Sequence, residues 1–374
     1  MIILDLINNL KELYMKLKRN TYANITPKHH PLEKNYNFTD DSFIEISKSD
    51  VIIINELFEI IDKTDVFSTG NGEWDYLEKE KRKNFIQNLK NKNFVQLKKD
   101  FSNFFRNDIS YGYFSPSYED CIKPVSTKQD EDNINIISQI LCDIDSCNEF
   151  TDLSSFSQIF TERSIGNPFG LCFDDNVILP DSPRHYYYSF KIKSLLKNKS
   201  NCSVLEIGGG AGNLTRFLYK KFSSLTYYGI DLMPACLTQY YYLRKLGHQV
   251  NMIFDKKDIK SGEINLIPFH TSSSVIKSLK DIDLVFNSRS FCEMGLSTVN
   301  DYFENINNYI KPNFIYHENS NYLLFPNSKR HIEVLGSDFP IDYDQYELIN
   351  MSVTPFSGGN GRYREFVYKR KRSN

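Results

Sequence analysis

Several features that would assign a protein to a membrane, a secretory route or a nucleic-acid partner are missing from this sequence of 374 residues. No apolar run reaches the roughly 18 residues of a membrane-spanning helix, so we expect no membrane span. A secretory signal carries its positive charges before an unbroken apolar stretch, and charged residues interrupt the apolar positions at the N-terminus, so we expect no such signal. The formal net charge is −2, and without a basic field we expect no nucleic-acid partner.

The cysteines also lack the spacings that would indicate a redox pair or a zinc site. The seven cysteines form no CxxC pair and no Cys/His spacing typical of zinc, and their number is odd. Scattered free thiols indicate a reducing compartment, so we expect a cytoplasmic protein. Glu293, His317 and Glu318 could supply metal ligands, but their spacing matches no metal motif, and we expect no metal.

Aromatic residues, by contrast, make up 14% of the chain, and in the first half they recur at helical spacing. Phe94, Leu97, Phe101, Phe104 and Phe105 alternate with charged residues, which predicts an amphipathic helix. The polar, acidic residues 129–133 are interpreted as a loop. Turn formers cluster at 166–170 and 180–184. We therefore predict a mainly helical N-terminal domain at 1–165 and a second domain at 166–374.

The second half alternates short apolar strands with helices, which predicts a mostly parallel α/β sheet. The expected strands are 203–207, 226–231, 282–286 and 314–317, and the expected helices are 184–199, 213–222, 234–247 and 272–279. The third strand is either 250–254 or 264–269, and we prefer the latter because a helix follows it directly. Residues 346–353 and 363–369 flank a glycine-rich turn, which indicates an antiparallel hairpin at the end of a Rossmann-like sheet.

A glycine-rich turn joins the first of these strands to a helix and reads Glu206-x-Gly208-x-Gly210-x-Gly212. Such a turn can cradle NAD, FAD or S-adenosylmethionine (SAM), or can serve strand–helix packing alone. A dinucleotide fingerprint needs glycine at its sixth position, where this chain has Asn213. An acid before the turn suits the ammonium and sulfonium of SAM, and the helix N-terminus suits its carboxylate. Asp231, which ends the second strand, is placed to bind ribose hydroxyls.

These residues resemble the class I SAM-dependent methyltransferases. The resemblance implies that Glu206, Gly208, Gly209, Gly210 and Gly212 form the methionine side of the cofactor cradle and that Asp231 contacts the ribose. It also implies further cofactor contacts from Asn287 and Ser288, after the fourth strand.

A larger pattern is similar to the bacterial sugar O-methyltransferase family, carried by residues 162–168, 206–214, 239–243, 287–294 and 317–319. The Asn/Asp-Pro-Pro-aromatic motif of amino methyltransferases is missing after the fourth strand, which favours hydroxyl acceptors. The resemblance implies methyl transfer to a sugar hydroxyl of a nucleotide sugar or surface polysaccharide. The alternatives are an O-methyltransferase of another small molecule and a non-catalytic SAM-binding protein. The helical first half is expected to supply the acceptor pocket and a homodimer contact.

A sugar hydroxyl needs a general base, which should come from loops at the carboxyl ends of the strands. Glu293 and His317 meet this condition and are the predicted catalytic residues; His270 and His331 are weaker candidates. The alternatives are a helix-capping carboxylate for Glu293 and a packed strand-end side chain for His317. Arg289 could bind a sugar phosphate or carboxylate, although pairing with a structural acid is favoured.

Overall fold

Helices form the first half of the chain in the computed structural model. It describes residues 46–64, 66, 73–114, 118–119, 129–148, 158–162, 164–173, 176–322, 334–356 and 361–372. The helices are α1 (Lys48–Ile61), α2 (Glu73–Glu80), α3 (Lys83–Lys90), α4 (Phe94–Ser102) and α5 (Gln129–Asn148). At the start of α1, Ser47 and Asp50 form a capping box, in which each side chain bonds the other residue's backbone N–H.

The predicted aromatic helix is real but shorter than expected. Helix α4 ends at Ser102 because the side chains of Ser102 and Asn103 donate to the carbonyls of Lys98 and Lys99, which satisfies its last turn. Phe104 then lies on a 3-10 turn, Phe104–Arg106. The prediction of a loop at 129–133 is wrong, since these residues form the first turns of α5.

The second half is built on an eight-stranded sheet. Its strands are β4 (Cys202–Ile207), β5 (Leu225–Asp231), β6 (Val250–Met252), β7 (Ile264–Pro268), β8 (Leu284–Ser288), β9 (Phe314–Ser320), β10 (Tyr346–Val353) and β11 (Tyr363–Arg370). The strand order is β10-β11-β9-β8-β4-β5-β7-β6. The pairs from β6 to β9 are parallel, whereas β11 pairs antiparallel with both β9 and β10. The predicted fold class, a Rossmann-like parallel sheet closed by an antiparallel hairpin, is confirmed.

The preferred candidate for the third strand is confirmed as a strand that a helix follows directly, but the other candidate is a strand as well. The preferred one, β7, lies beside β5, and β6 adds a short edge strand outside it. A three-stranded sheet of β1 (Thr161–Glu162), β2 (Leu171–Phe173) and β3 (Asn176–Ile178) precedes the large one and was not predicted.

Helices cover both faces of the large sheet. They are α6 (Ser182–Leu195), α7 (Asn213–Lys221) and α8 (Met233–Lys245) on one face, and α9 (Phe269–Ile276) and α10 (Leu296–Asn305) on the other. Each face of the sheet packs against its helices in a separate apolar core: the first core contains α6, α7 and α8, and the second contains α9 and α10. Because side chains alternate along β4, Val204 lies in the first core and Leu205 in the second. None of the described helices is both long and apolar enough to cross a membrane.

The helices of the first half share the first of these cores with the sheet. The ring of Phe101 stacks on Tyr241 of α8 at 4.8 Å between centroids, and Phe104 meets Tyr242 edge-on at 5.7 Å. The Tyr241 hydroxyl also donates to Asp50 of α1 at 2.6 Å. The N-terminal helices therefore pack directly against α8. The division into domains at residue 165 stays a prediction.

Candidate functional site

The glycine turn follows β4 at the carboxyl edge of the sheet, where the chain order reverses between β8 and β5 on either side of β4. In open α/β sheets this switch point is the usual position of a ligand crevice. Gly208, Gly210 and Gly212 all have left-handed backbones, with φ of +76°, +57° and +84°. A Cβ on Gly208 would lie 2.2 Å from Ser290 Oγ, so position 208 has no room for a side chain.

Glu206 is buried beneath this turn. Its Oε2 accepts a 2.5 Å hydrogen bond from the Tyr227 hydroxyl on β5. Burial raises the pKa of Glu206 to about 7, although the bond from Tyr227 acts in the opposite direction. A cation beside Glu206 would favour its charged form, which is the chemistry expected of a site for an ammonium or sulfonium group.

Asp231, the last residue of β5, contacts the turn directly. Its Oδ2 accepts the Gly210 backbone N–H at 3.0 Å and Gln239 Nε2 at 3.2 Å, and its Oδ1 accepts the Leu232 N–H at 2.8 Å. Burial raises the pKa of Asp231 to about 7. The two acids predicted from the sequence, Glu206 and Asp231, thus both lie against the glycine turn.

Asn287 and Ser288 are the last two residues of β8, although the sequence placed them after this strand. Asn287 donates from Nδ2 to the Ile207 carbonyl at 2.8 Å, and its Oδ1 accepts from Asn319 Nδ2 at 2.9 Å and from the Phe291 N–H at 3.3 Å. Its amide therefore ties β8 to β4 and β9. The predicted contacts of Asn287 and Ser288 with a cofactor stay predictions.

A network of charged side chains lies at the end of β8. Ser288 Oγ lies between Arg184 Nη1 at 2.9 Å and Glu318 Oε2 at 3.0 Å. Arg184 pairs with Asp181 at 2.6 Å, and Arg289 pairs with Glu318 at 3.2 Å. Arg289 therefore has the structural acid that the sequence favoured as its partner.

The two predicted catalytic residues, Glu293 and His317, have different surroundings. Glu293 ends a 3-10 turn, Phe291–Glu293, and is partly exposed; its N–H donates to the Ser290 carbonyl at 3.1 Å. His317 is 0% exposed, and its ring lies between those of Phe366 and Phe339, each at a centroid distance of 4.8 Å. Burial lowers the pKa of His317 to about 3. Successive strand residues face opposite sides, so Glu318 joins the charge network while His317 enters the second core.

His270 and His331 were the weaker candidates for the base. His270 contacts Thr64 Oγ1 at 3.1 Å, and His331 lies outside the described residues. No group of three or more His, Cys, Asp or Glu in the described parts of the chain could hold a metal ion.

Sequence reasoning missed several partners of the predicted residues. Tyr227 reaches Glu206 by crossing Gly229, whose missing side chain leaves room: a Cβ there would be 3.0 Å from the Tyr227 ring. Gln239 and Ser290 lie in a later helix and a later loop, and no local pattern links them to the turn. Because side chains alternate along a strand, the sequence does place Tyr227 and Asp231 on the same face of β5. That spacing could have identified Tyr227 as a neighbour of the site.

No family model and no curated protein matches this chain. Among solved structures it is similar to the small RNA methyltransferase HEN1, at 16% identity and a TM-score of 0.37 over 52% of this chain and 26% of that one. It is similar to MtNAS in complex with MTA and tNA, at 12% identity and a TM-score of 0.35 over 86% and 97%. A third is the N-methyltransferase NodS from Bradyrhizobium japonicum WM9 in complex with S-adenosyl-L-homocysteine, at 13% identity and a TM-score of 0.34 over 52% and 89%.

Proposed function

We propose that this chain is a SAM-dependent methyltransferase that acts on a sugar hydroxyl, in a nucleotide sugar or a surface polysaccharide. The observation that carries the proposal is the turn of Gly208, Gly210 and Gly212, left-handed at all three positions, in contact with the buried Glu206 and the half-buried Asp231. It lies at the switch point of the sheet, where a cofactor is expected.

The donors and acceptors around the turn fit SAM. The carboxyl of Glu206 suits its cationic end, and the N-terminus of α7 suits its carboxylate. Asp231 accepts three hydrogen bonds and can accept more, which suits ribose hydroxyls. When bound, SAM would supply an electrophilic methyl group, and the chain would mainly have to align an acceptor oxygen with it.

A hydroxyl acceptor is favoured over an amine because the Asn/Asp-Pro-Pro-aromatic motif of amino methyltransferases is missing from the end of β8 and the loop that follows it. The side-chain oxygen of Asn287, the first residue of this stretch, already accepts hydrogen bonds from Asn319 and Phe291. Glu293, in the same loop and partly exposed, is the proposed general base. His317 is not retained as a base, because its ring is enclosed by aromatic side chains.

Calorimetric titration with S-adenosyl-L-homocysteine (SAH) tests the cofactor assignment. Wild type should bind, and Asp231→Ala should bind at least about tenfold more weakly, since a charged acceptor of hydrogen bonds is lost. Asp344→Ala, at an exposed position, is the matched control and should bind like wild type. A wild-type chain without affinity for SAH would refute the proposal.

Transfer of labelled methyl from SAM to pooled nucleotide sugars and glycan extracts tests the acceptor. Glu293→Gln should slow transfer by about 10²–10⁴-fold while SAH affinity is kept. Labelling of a different small molecule would favour the broader O-methyltransferase alternative. SAH binding without transfer to any acceptor would favour a non-catalytic SAM-binding protein.

A further inference from the structure

A buried cation without an acidic partner lies in the helical first half. Arg82, between α2 and α3, is 0% exposed. Its Nε donates to the Ile109 carbonyl at 3.1 Å and its Nη2 to the Tyr111 carbonyl, whereas Nη1 is buried and makes no hydrogen bond. No carboxylate in the described part of the chain forms an ion pair with Arg82. Burying a charged group without a carboxylate and with unpaired N–H donors destabilises the folded chain. We therefore expect a further group to accept hydrogen bonds from Arg82 Nη1.

A second buried arginine shows what a purely structural role looks like here. Arg216 on α7 donates four hydrogen bonds from its two Nη atoms, to the carbonyls of Ile159 and Phe160 and to the hydroxyls of Thr161 and Ser182, and leaves only its Nε without a partner. Arg82 makes two hydrogen bonds, both to carbonyls, and its unused nitrogen is Nη1, which carries two N–H donors where Nε carries one. Such a fixed, unused donor is typical of a group positioned for a ligand.

Aromatic rings connect Arg82 to the glycine turn. Its guanidinium lies 4.2 Å from the ring centroid of Tyr113 and 5.1 Å from that of Trp74, and these two rings stack at 6.0 Å. Tyr113 packs on the turn itself: a Cβ built on Gly210 would be 3.5 Å from Tyr113 Cβ. The Tyr113 hydroxyl is buried and has no hydrogen-bond partner.

Charge effects agree with this proximity. Burial raises the pKa of Tyr113, and the negative charge of Asp231 adds to the rise. The pKa of Asp231 is raised mainly by burial, and the positive charge of Arg82 partly offsets that rise. The unused donors of Arg82 and Tyr113 thus lie close to the acid assigned to the ribose.

We propose that Arg82, Tyr113 and Trp74 form a second wall of the cofactor site, opposite Gly210 and Asp231, and bind the adenosine end of the cofactor. This inference rests on the proposed function. A purine nucleoside offers an aromatic face, ring-nitrogen acceptors and hydroxyls, which match stacked rings, a fixed N–H donor and a phenol. The methionine end is assigned to the other side of the turn, where Gly208 faces Ser290.

The assignment changes the role of the N-terminal helices. The sequence suggested that they supply the acceptor pocket, whereas here they are also part of the cofactor site. Cofactor affinity should therefore depend on residues some 120 positions before the glycine turn as well as on the turn itself.

The test compares SAH with 5′-methylthioadenosine, which has the same nucleoside but no amino-acid end. Arg82→Met and Tyr113→Ala should each weaken both ligands by the same factor, about tenfold or more by calorimetry. Arg106→Met is the matched control, because Arg106 donates to the carbonyls of Asn167 and Pro168 in a different loop, and it should bind like wild type. Trp74 is the single tryptophan of the chain, so both ligands should change its emission in wild type.

The outcomes separate this inference from the proposed function. If wild type does not bind SAH, the proposed function fails and the inference fails with it. If wild type binds SAH but Trp74 emission and the affinities of both variants are unchanged, the inference alone is overturned. Loss of SAH affinity without loss of methylthioadenosine affinity would overturn the assignment to the adenosine end. If Arg82→Met does not fold by circular dichroism, Arg82→Lys and Tyr113→Phe carry the same comparison.

Discussion

Glu206 combines burial with a hydrogen bond from Tyr227, and this gives it a predictable pH dependence. Its pKa is about 7 in the folded chain against an ordinary value of 4.5. A pKa raised by folding contributes stability that is fully present below about pH 4.5 and is lost as the pH rises through about 7. Glu206→Gln should remove this loss while keeping an oxygen acceptor for Tyr227.

Urea unfolding at about pH 5 and about pH 8 measures the effect. The free energy of unfolding should fall more between these pH values in wild type than in Glu206→Gln, by about 1–3 kcal/mol. Burial also raises the pKa values of Asp143 and Glu365 to about 7, but these groups are the same in both proteins and cancel in the difference. The charge of Asp231 adds to the rise in the pKa of Glu206, so the difference reports the titration of Glu206 together with its coupling to Asp231. Equal falls in the two proteins would contradict the prediction.

Gly208 and Gly247 offer a matched pair of left-handed glycines, with φ of +76° and +85°. A Cβ at Gly208 would collide with Ser290, whereas one at Gly247 has nothing within 4 Å. Gly247→Ala should cost about 1–2 kcal/mol of stability from backbone strain alone and leave SAH affinity unchanged. Gly208→Ala should abolish SAH binding, and equal effects of the two substitutions would contradict the prediction.

Single residues were predictable from the sequence where the signal was local. Glu206, the glycines and Asp231 lie within one strand–turn–helix–strand unit, and the structure brings them together. His317 was predicted to end the fifth strand, but β9 continues to Ser320; which face a strand residue occupies depends on strand register, and His317 faces the apolar core. Arg82 and Tyr113 carry no local pattern, because only tertiary packing brings them to the turn.

Elements were predictable where hydrophobic periodicity was long. The alternation of strands and helices gave the parallel sheet and the hairpin, but three-residue strands such as β2 and β3 fall below what a pattern can define. The acidic run at 129–133 was interpreted as a loop, yet acids are also favourable in the first turn of a helix, where they meet the positive end of the helix dipole. Polarity alone cannot separate these two cases.

Helix α6 begins at a buried ion pair, which makes its start sensitive to substitution. Asp181, the residue before α6, pairs with Arg184 at 2.6 Å, and both side chains are buried. Asp181→Ala should cost about 3–5 kcal/mol, because it leaves a buried guanidinium without its main acid. The double variant Asp181→Ala with Arg184→Met should recover part of this loss in urea unfolding. A double variant no more stable than the single one would contradict this account.

At the scale of the whole molecule, the shared core predicts cooperative unfolding. The N-terminal helices cover Tyr241 and Tyr242 of α8, so neither half can lose its structure without exposing apolar surface of the other. Calorimetry should show one transition with equal calorimetric and van't Hoff enthalpies. Two separate transitions would show that the predicted boundary at 165 divides independent domains. A cytoplasmic location and a homodimer contact stay predictions at this scale.

The packing of α1 and α4 on α8 also sets an order of events during synthesis. The hydrogen-bonded residues Asp50 and Tyr241 are 191 positions apart, so the helices are made long before the surface they cover. At ribosomal speeds the interval lasts roughly 10–40 seconds. Through that time the apolar faces of the nascent helices have no native partner, and the yield of folded chain should depend on chaperones that hold exposed apolar segments.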